Sequence, residues 1–443
     1  MLLDLIYLVA FIALLPWIAW RRWSGGRPVA APWQRFTGSL PPLPPKGPRQ
    51  RIWLHGVSVG EIQLLSSLSR EIASRAAAKG LVVEFVVSSS TTTGLDLAAK
   101  RFGGTVVFPC PLDFSWAVRR VLGAVDADLL VLGELELWPH LLEAAWRHRL
   151  PVVVANGRLS ERSARGYRRV APLVRRMLSR VTLVSARSAA DAARFRALGA
   201  PRVVEAGSMK FDGVRGDRNA EDVRRLATLA GFRDDDIVFL AGSTQAPEES
   251  LAIDAYRAMS ADHPRLRLVI VPRHVERKPE IVALLDGSGL AWQARSTLDT
   301  EGAAPDARVL LVDTTGELGA WWGTATIAFV GGSLDGKRGG QNMLEPAAYG
   351  AAVCFGPYTR NFADEVSILL AADAARVVAD GPALTAFVGD CLEAQPPLAL
   401  GSRAAGTVAA HRGATAATAE RILSLLAAGS EAVEGCPPAR EPG

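Results

Sequence analysis

The sequence is poor in cysteine and histidine, and neither residue type occurs at a metal-binding spacing. The six histidines include no HExxH pattern, and the four cysteines form no CxxC pair; they are Cys110, Cys354, Cys391 and Cys436. Zinc sites need ligands at such short spacings, so the sequence argues against a zinc cluster. Scattered cysteines also indicate a reducing compartment. We therefore predict no metal site and no cofactor.

A dense basic stripe of the kind that binds nucleic acid is also missing. The formal net charge is only +5 and is spread over many arginines. Two acidic groups resemble a metal-binding DxD, at 126–128 and 234–236, but both fall where strands or turns begin. We interpret them as solvated turn carboxylates. The charge balance favours a membrane-surface or anionic-substrate protein and no nucleic-acid partner.

One run of the chain approaches the length of a membrane span. Residues 2–20 are apolar except for Asp4, and the arginines that follow are Arg21, Arg22, Arg27 and Arg35. A bilayer core needs roughly 20 apolar helical residues, so this run is borderline. A cleaved signal peptide would have its basic residues before the apolar run. We predict an uncleaved membrane anchor at 1–22 with the rest of the chain on the cytoplasmic side.

Beyond a basic, Pro-rich connector at 23–50, short apolar runs alternate with helical patterns. The runs predicted as strands are 52–55, 81–88, 106–108, 129–132, 152–155 and 182–185, then 237–241, 268–271, 309–312, 326–330 and 352–355. This alternation predicts parallel sheets with helices on both faces. We expect an α/β protein with two Rossmann-like doubly wound domains, 51–212 and 213–428, and a disordered tail at 429–443. Two such sheets facing across a cleft would hold a ligand at their carboxyl edges.

The segment 53–61 (WLHGVSVGE) runs from a strand through a Ser/Gly turn into a helix. Ser58 and Gly60 form the turn, and Glu61 opens the helix. A carboxylate at a sheet's carboxyl edge is placed to act as a general base. A carboxylate that caps the helix and interacts with its dipole is the alternative, and spacing does not decide between them.

Two further segments follow apolar strands in the first half. Glu134 and Glu136, in 133–139 (GELELWP), point the same way if the strand continues, and Pro139 suits the first turn of a helix. An exposed strand end is an equally good interpretation. The segment 156–163 (NGRLSERS) is a strand exit that is either a binding loop or a surface loop.

The segment 330–346 (VGGSLDGKRGGQNMLEP) contains two glycine pairs after a buried strand. Glycines let backbone N–H groups approach an anion, and a following helix start adds its positive dipole end. Glu345 could grip two vicinal hydroxyls. The segment therefore predicts a nucleotide-sugar pocket with phosphate at the glycines and ribose at Glu345, although most glycine pairs are simply turns.

Other loops at the ends of strands carry polar and cationic groups. They place Lys210 in 207–212, Ser243 and Thr244 in 241–249, and Pro272 with Arg273 in 271–277. The last, 356–362 (GPYTRNF), follows the final predicted strand. Because the carboxyl ends of parallel strands share one sheet edge, these loops together predict a site more strongly than any one of them.

Taken together, these segments resemble the bacterial 3-deoxy-D-manno-octulosonic acid (Kdo) transferases of lipopolysaccharide synthesis. The resemblance extends from the anchor to about residue 425. The blocks that carry it, in order, are HGVSVGE ending at Glu61, ELELWP 134–139, NGRLSERS 156–163, GSMKFD 207–212, PRH 272–274, GGS 331–333, GGQNMLEP 339–346 and GP…NF 356–362.

The resemblance implies an inverting, metal-independent glycosyltransferase of the GT-B type. Its donor would be CMP-Kdo and its acceptor a lipid A precursor at the cell inner membrane, with the globular part on the cytoplasmic face. By this likeness Glu61 is the general base, and Ser58, Gly60, Glu134 and Glu136 organise the acceptor side. The residues implied on the donor side are Lys210, Ser243, Thr244, Pro272, Arg273, Ser333, Gly340, Gln341, Asn342 and Glu345.

Two blocks depart from the pattern of that family. The family usually has STHEGEE where this chain has STQAPEE at 243–249, and GGHNPLE where it has GGQNMLE at 339–345. Gln245 and Gln341 thus replace two histidines, and glutamine does not become a cation near neutral pH. A related membrane-associated transferase with another nucleotide sugar is therefore a second hypothesis. A binding protein that has lost catalysis is a third.

Overall fold

A computed structural model describes residues 2–23, 31–394 and 399–434. Arg27 and the rest of 24–30, within the predicted connector, lie outside the described residues, as do 435–443 of the predicted tail. The chain divides into two compact units. The first comprises 1–213 together with 412–443, and the second comprises 214–411.

The first unit is built on a seven-stranded parallel sheet in the order β3-β2-β1-β4-β5-β6-β7. Its strands are β1 Gln50–His55, β2 Val83–Ser89, β3 Val106–Pro109, β4 Leu129–Gly133, β5 Val152–Gly157, β6 Leu183–Ala186 and β7 Val203–Glu205. Its helices, apart from one near the carboxyl terminus, are α1 Leu2–Trp23, α2 Pro32–Thr37, α3 Val59–Ala78, α4 Thr92–Arg101, α5 Ser115–Val125, α6 Pro139–Arg147, α7 Glu161–Arg168, α8 Ala171–Leu178 and α9 Ala189–Ala197.

Both faces of this sheet are buried. The side chains of β1 alternate between the two faces and contribute to the core on each. Trp53 packs into the cluster on one face, whereas Ile52 and Leu54 pack into the cluster on the other. Successive strand side chains point to opposite faces, so a strand covered on both sides is apolar throughout. This explains the continuous apolar runs in the sequence.

The second unit is also a seven-stranded parallel sheet, in the order β10-β11-β9-β8-β12-β13-β14. Its strands are β8 Ile237–Thr244, β9 Leu266–Pro272, β10 Trp292–Ala294, β11 Val309–Leu311, β12 Ile327–Val330, β13 Ala352–Phe355 and β14 Arg376–Val377. Its helices are α10 Glu221–Leu229, α11 Glu248–Ser260, α12 Lys278–Asp286, α13 Arg295–Glu301, α14 Leu318–Trp321, α15 Leu344–Ala348, α16 Ala363–Ala371, α17 Gly381–Glu393 and α18 Ala399–Ala410, with short 3-10 turns at Val275–Arg277, Trp322–Thr324 and Arg360–Phe362.

The last helix, α19 (Ala414–Glu434), belongs to the first unit. Its apolar side packs into the same cluster as α3, and the carboxylate of Asp212 accepts hydrogen bonds from the N–H groups of Gly413 and Thr415, each at 2.6 Å. The prediction that 412–428 belong to the second domain is therefore wrong. The predicted disordered tail also begins too early, because the helix continues through 434.

The predicted α/β class with two Rossmann-like sheets is confirmed. The strands β7, β10 and β14, which have only three, three and two residues, were not predicted. Each of them lies at the edge of its sheet. Edge strands this short have too few apolar residues to produce a readable pattern.

The predicted anchor forms helix α1, whose first half packs against the first unit. Asp4 accepts a hydrogen bond from the backbone N–H of Ser115 at 2.8 Å, and the Tyr7 ring meets Phe114 edge to face at 6.0 Å. Within the described ranges, no helix is long and apolar enough to pass through a lipid bilayer.

Candidate active site

In the first unit, the strand order reverses between the neighbouring strands β1 and β4. The loop after β1 leads to Glu61, and the loop after β4 carries Glu134 and Glu136. Ligands of open α/β sheets bind at the carboxyl ends of strands on either side of such a reversal. The topology therefore places all three candidate carboxylates where this class of fold binds its ligands.

Glu61 occupies the third position of α3 and forms a capping box with Ser58, the residue that precedes the helix. One carboxylate oxygen of Glu61 accepts from the Ser58 hydroxyl at 2.8 Å and the other from the N–H of Val57 at 2.9 Å. Burial raises the pKa of Glu61, and the charge of Glu134 adds to the rise. Glu61 is thus a capping residue, as one interpretation of the sequence held, but its buried position at the sheet edge also suits a base.

Gly133, at the end of β4, lets the loop after this strand lie close to Glu61. A Cβ atom on Gly133 would lie 3.4 Å from a carboxylate oxygen of Glu61. Strand β4 ends at Gly133, and Glu134 follows with a left-handed φ of 54°. The strand therefore does not continue to Glu136, which was the condition for the two side chains to point the same way, and a turn directs them instead. Pro139 does begin a helix, α6, as expected.

Glu136 is coupled electrostatically to the other two carboxylates. Its side chain accepts a hydrogen bond from the indole N–H of Trp138 at 2.9 Å. Burial, with the charge of Glu61 as the second cause, raises the pKa of Glu136 to about 7. Like charges in a poorly hydrated site disfavour simultaneous ionisation. Burial and the two neighbouring carboxylates thus act together on the pKa of Glu136.

The structure also places His55 and Gly60, two other residues of the segment 53–61. His55 is fully buried, its Nδ1 lies 2.9 Å from the hydroxyl of Ser88, and burial lowers its pKa to about 4. It is therefore a neutral residue of the sheet. Gly60 is exposed in the first turn of α3, and a Cβ there would meet nothing nearer than the Ser58 hydroxyl at 3.8 Å. No close approach explains this glycine.

In the second unit, the strand order reverses between β8 and β12. The loop after β8 carries Ser243 and Thr244, and the glycine-rich segment follows β12. The two segments touch, because a Cβ on Gly331 would lie 2.7 Å from the Cα of Thr244. The second candidate site therefore occupies the same topological position as the first.

The first glycines of the segment 330–346 surround a carboxylate of the protein itself. Glu248, at the start of α11, accepts hydrogen bonds from the backbone N–H groups of Gly332 at 2.7 Å, Ser333 at 3.0 Å and Leu334 at 3.2 Å. The N–H of Gln245 donates to the same carboxylate at 2.9 Å. The expectation that these amides bind a phosphate is therefore wrong, because an internal anion already fills their concave side.

Several residues predicted on the donor side are turned into the protein. The Ser333 hydroxyl donates to the carbonyl of Val330 at 2.7 Å and accepts from the N–H of Gly356 at 2.8 Å. Thr244 is fully buried. Gly340, with φ of 80°, donates its N–H to the Gly332 carbonyl at 2.8 Å. These residues shape the loop from within.

Another group of predicted donor residues does converge. Asn342 donates its side-chain N–H to Glu345 at 3.0 Å. Burial raises the pKa of Glu345, and its bonds with Asn342 and Trp322 and the positive charge of Arg273 partly oppose that rise. Arg273, which directly follows Pro272 at the end of β9, is exposed, and its N–H donates to the Thr244 carbonyl at 3.0 Å. The positive charge of Arg273 thus acts on Glu345.

The two glutamines that replace family histidines lie at the same place. The side-chain nitrogens of Gln245 and Gln341 each come within 3.5 Å of the point that a Cβ would occupy on Gly332. The sequence separates these residues by nearly a hundred positions. The structure joins the two departures into one feature of the glycine loop.

Sequence reasoning did not single out Glu248 or Asn361. The Asn361 side chain donates to the Arg338 carbonyl at 2.8 Å, and its backbone N–H donates to the Gly339 carbonyl at 3.0 Å. Asn361 therefore supports the second glycine pair, and Glu248 supports the first. Glu248 had a weak signal, an acidic pair at a helix start, but that signal normally indicates only a favourable helix dipole.

Lys210 lies in the first unit, whereas the other predicted donor residues lie in the second. Its segment is fixed by Asn156, whose side-chain oxygen accepts from the N–H of Met209 at 3.0 Å. Among the described residues, no three His, Cys, Asp or Glu side chains are grouped so that they would hold a metal ion.

Comparison with known proteins agrees with the family indicated by the sequence blocks. The family model described as 3-deoxy-D-manno-octulosonic-acid transferase (kdotransferase) matches residues 32–213. The 3-deoxy-D-manno-octulosonic acid transferase of Haemophilus influenzae is 33% identical over 76% of this chain and 76% of its own. That of Bordetella pertussis is 31% identical over 95% of this chain and 99% of its own.

Solved structures give the same fold at lower identity. A putative UDP-N-acetylglucosamine 2-epimerase from Listeria monocytogenes is 12% identical and aligns with a TM-score of 0.56 over 89% of this chain and 100% of its own. At that identity the likeness concerns the fold alone. The two transferases are each about one third identical to this chain over most of their length, and this identity decides the family. This chain belongs to the 3-deoxy-D-manno-octulosonic acid transferases and is a glycosyltransferase.

Proposed function

We propose that this protein transfers Kdo from CMP-Kdo to a lipid A precursor in lipopolysaccharide synthesis. The observation that carries the proposal is the position of Glu61, a buried carboxylate at the strand reversal of the first unit, coupled to Glu134 and Glu136. A reaction that joins a sugar to a hydroxyl needs a base for the hydroxyl proton, and this group provides one.

In the proposed reaction, Glu61 removes the proton of the acceptor hydroxyl as that oxygen attacks the anomeric carbon of Kdo. The bond between that carbon and the CMP phosphate oxygen breaks, and the sugar configuration inverts. A raised pKa makes Glu61 a stronger base than a solvated glutamate. Ser58 holds the Glu61 carboxylate in place through its hydroxyl, which donates at 2.8 Å.

On the donor side, we propose that the exposed Arg273 offsets the negative charge of the donor phosphate. Fixed positive groups stabilise charge that develops on a leaving phosphate. Glu345, held by Asn342, would bind the ribose hydroxyls. Because Glu248 occupies the first glycine amides, the phosphate in this proposal lies against Arg273, and not against residues 332–334.

We further propose that the protein works at the cytoplasmic face of the inner membrane. Helix α1 leaves a row of large apolar side chains more than half exposed, at Leu5, Ile6, Val9 and Ile12. Three of these, at positions 5, 9 and 12, have the spacing of one helix face. An apolar helix face of this kind lies naturally in the interfacial region of a bilayer, where the acyl chains of a lipid acceptor would also be.

The test is transfer by purified protein supplied with CMP-Kdo and a tetra-acylated lipid A precursor. Glu61→Gln should reduce kcat by about a hundredfold or more while CMP-Kdo binding, measured by calorimetry, stays unchanged. Glu71→Gln, on the same helix α3, is the matched control and should retain activity. Absence of transfer by the wild type, with activity from another nucleotide sugar, would refute the proposed donor. Full activity of Glu61→Gln would refute the proposed base.

A further inference from the structure

The first unit contains a cavity of about 610 Å3 between α1, α5, α6 and α8. Part of its lining is apolar, supplied by Leu3, Leu173 and Met177. Most of its charged lining is basic, supplied by Arg119, Arg147, Arg176 and Arg180. A cavity with these two surfaces matches a molecule that is apolar in one part and anionic in another.

The carboxylate of Glu143 forms ion pairs with three of these arginines. Glu143 lies 2.9 Å from Nε of Arg147 and 3.4 Å from a terminal nitrogen of Arg176, and it also pairs with Arg180. Although burial opposes ionisation, these three arginines together lower the pKa of Glu143. A single negative charge leaves this side of the cavity with a positive excess.

Arg119 adds to that excess from α5. It is exposed, and no acidic side chain within the described residues pairs with it.

The other acids near the cavity, Asp4 and Asp113, accept hydrogen bonds from backbone N–H groups. Asp4 accepts from the N–H of Ser115 at 2.8 Å, and Asp113 accepts from the N–H groups of His140 at 3.0 Å and of the next residue at 2.9 Å. Both also lie within 3.7 Å of the His140 ring, which lines the cavity.

The position of the cavity links it to the candidate carboxylates. Pro139 and His140, which line the cavity, directly follow the loop that carries Glu136. Helix α6 then runs along the wall, and its rise of about 1.5 Å per residue puts Arg147 roughly 10 Å from His140. A wall of that length can contact a molecule with the dimensions of one or two sugar rings.

We propose that this arginine-lined cavity binds a phosphate group of the lipid acceptor. The inference rests on the proposed function and adds to it a subsite for the acceptor. Guanidinium groups bind phosphate through two parallel hydrogen bonds, which a lone ammonium does not offer. One apolar lining residue, Leu3, lies on α1, the helix whose exposed row contacts acyl chains in the proposed membrane orientation.

The experiment measures binding of a phosphorylated lipid A precursor in phosphatidylcholine vesicles, without CMP-Kdo, by flotation. Arg119→Ala and Arg176→Ala are compared with Arg120→Ala, an exposed arginine on the same helix that does not line the cavity. Each lining variant should weaken binding about tenfold. The control should bind like the wild type, and all variants should keep the wild-type circular dichroism spectrum.

Two further arms identify the source of the phosphate. Dephosphorylated precursor should bind equally to wild type and lining variants, and vesicles containing phosphatidylglycerol should show no difference among them. Wild-type binding by both lining variants, or an equal loss in Arg120→Ala, would overturn the proposal. An equal loss on phosphatidylglycerol would overturn the assignment to the acceptor in favour of a bilayer lipid. Because no donor is present, these results do not depend on whether Kdo is the sugar transferred.

Discussion

The carboxylate of Glu248 accepts a hydrogen bond from the backbone N–H of Gly332 at 2.7 Å. Three more backbone N–H groups donate to the same carboxylate, which is only 2% exposed. An internal anion therefore fixes the glycine loop that the sequence predicted to hold a phosphate. Gly331 is required beside it, since a Cβ there would lie 2.6 Å from a Glu248 oxygen.

We predict that Glu248→Gln lowers the free energy of unfolding of the protein by about 3–5 kcal/mol, because an amide group would face N–H donors that need an acceptor. Glu248→Ala should be similarly damaging, and donor affinity should fall with stability. Urea denaturation and CMP-Kdo calorimetry are the measurements. Glu276→Gln, on an exposed residue nearby in sequence, should change neither, and a stable Glu248→Gln with wild-type donor affinity would contradict the role given to this carboxylate.

The pKa of Glu136, raised to about 7 by burial and by the charge of Glu61, predicts a pH-dependent stability. An unfolded glutamate titrates near 4.3, so between that pH and about 7 the folded state binds more protons than the unfolded state. This contribution to stability is complete at low pH and is lost as pH rises through 7. Glu136→Gln should remove it.

Urea denaturation at pH 5.5 and pH 8.5 checks this prediction. The stability of the wild type relative to Glu136→Gln should fall as the pH rises. In Glu61→Gln the fall should move to lower pH, since one of the causes that raise the pKa of Glu136 is gone. An identical pH dependence in wild type and Glu136→Gln would show that the carboxylates are not coupled.

The pairing of Gln245 with Gln341 beside Gly332 predicts how this chain responds to the family's histidines. Gln341→His should leave transfer from CMP-Kdo intact or improve it. Because histidine titrates near pH 6.5, the donor KM of the variant should vary with pH between 6 and 8 while that of the wild type stays flat. The measurement is the donor KM across that range, for Gln245→His, Gln341→His and both together. A large loss with CMP-Kdo would mean that the loop has been rebuilt around glutamine for a different donor.

The exposed apolar row on α1 predicts membrane binding that depends on single side chains. Val9→Glu should reduce the fraction of protein that floats with vesicles, because a charge on this face opposes burial in the interfacial region. Val82→Glu is the matched control, since Val82 is 59% exposed and Val9 60%, but Val82 directly precedes β2 and is not part of α1. Equal flotation of wild type and Val9→Glu would show that this helix face does not contact lipid.

Most of the fold could be predicted because parallel strands covered on both sides produce continuous apolar runs, and β4 and β12 are such runs. The edge strands β7 and β10 could not, because three residues give no pattern. The unit to which α19 belongs was also beyond local reasoning. That choice depends on Asp212 and on the apolar face of α3, which lie hundreds of residues away in the chain.

The sequence by itself determined the α/β class, the family and the loops in which candidate residues lie. Each of these depends on the order and spacing of residues that are close together in the chain. The tertiary structure decided what those residues touch. It showed that Ser333 and the first glycine amides serve the loop itself, whereas Glu61, Glu134 and Glu136 are coupled. Hydrogen-bond partners and burial arise from chain segments far apart in sequence, and for that reason no local pattern specifies them.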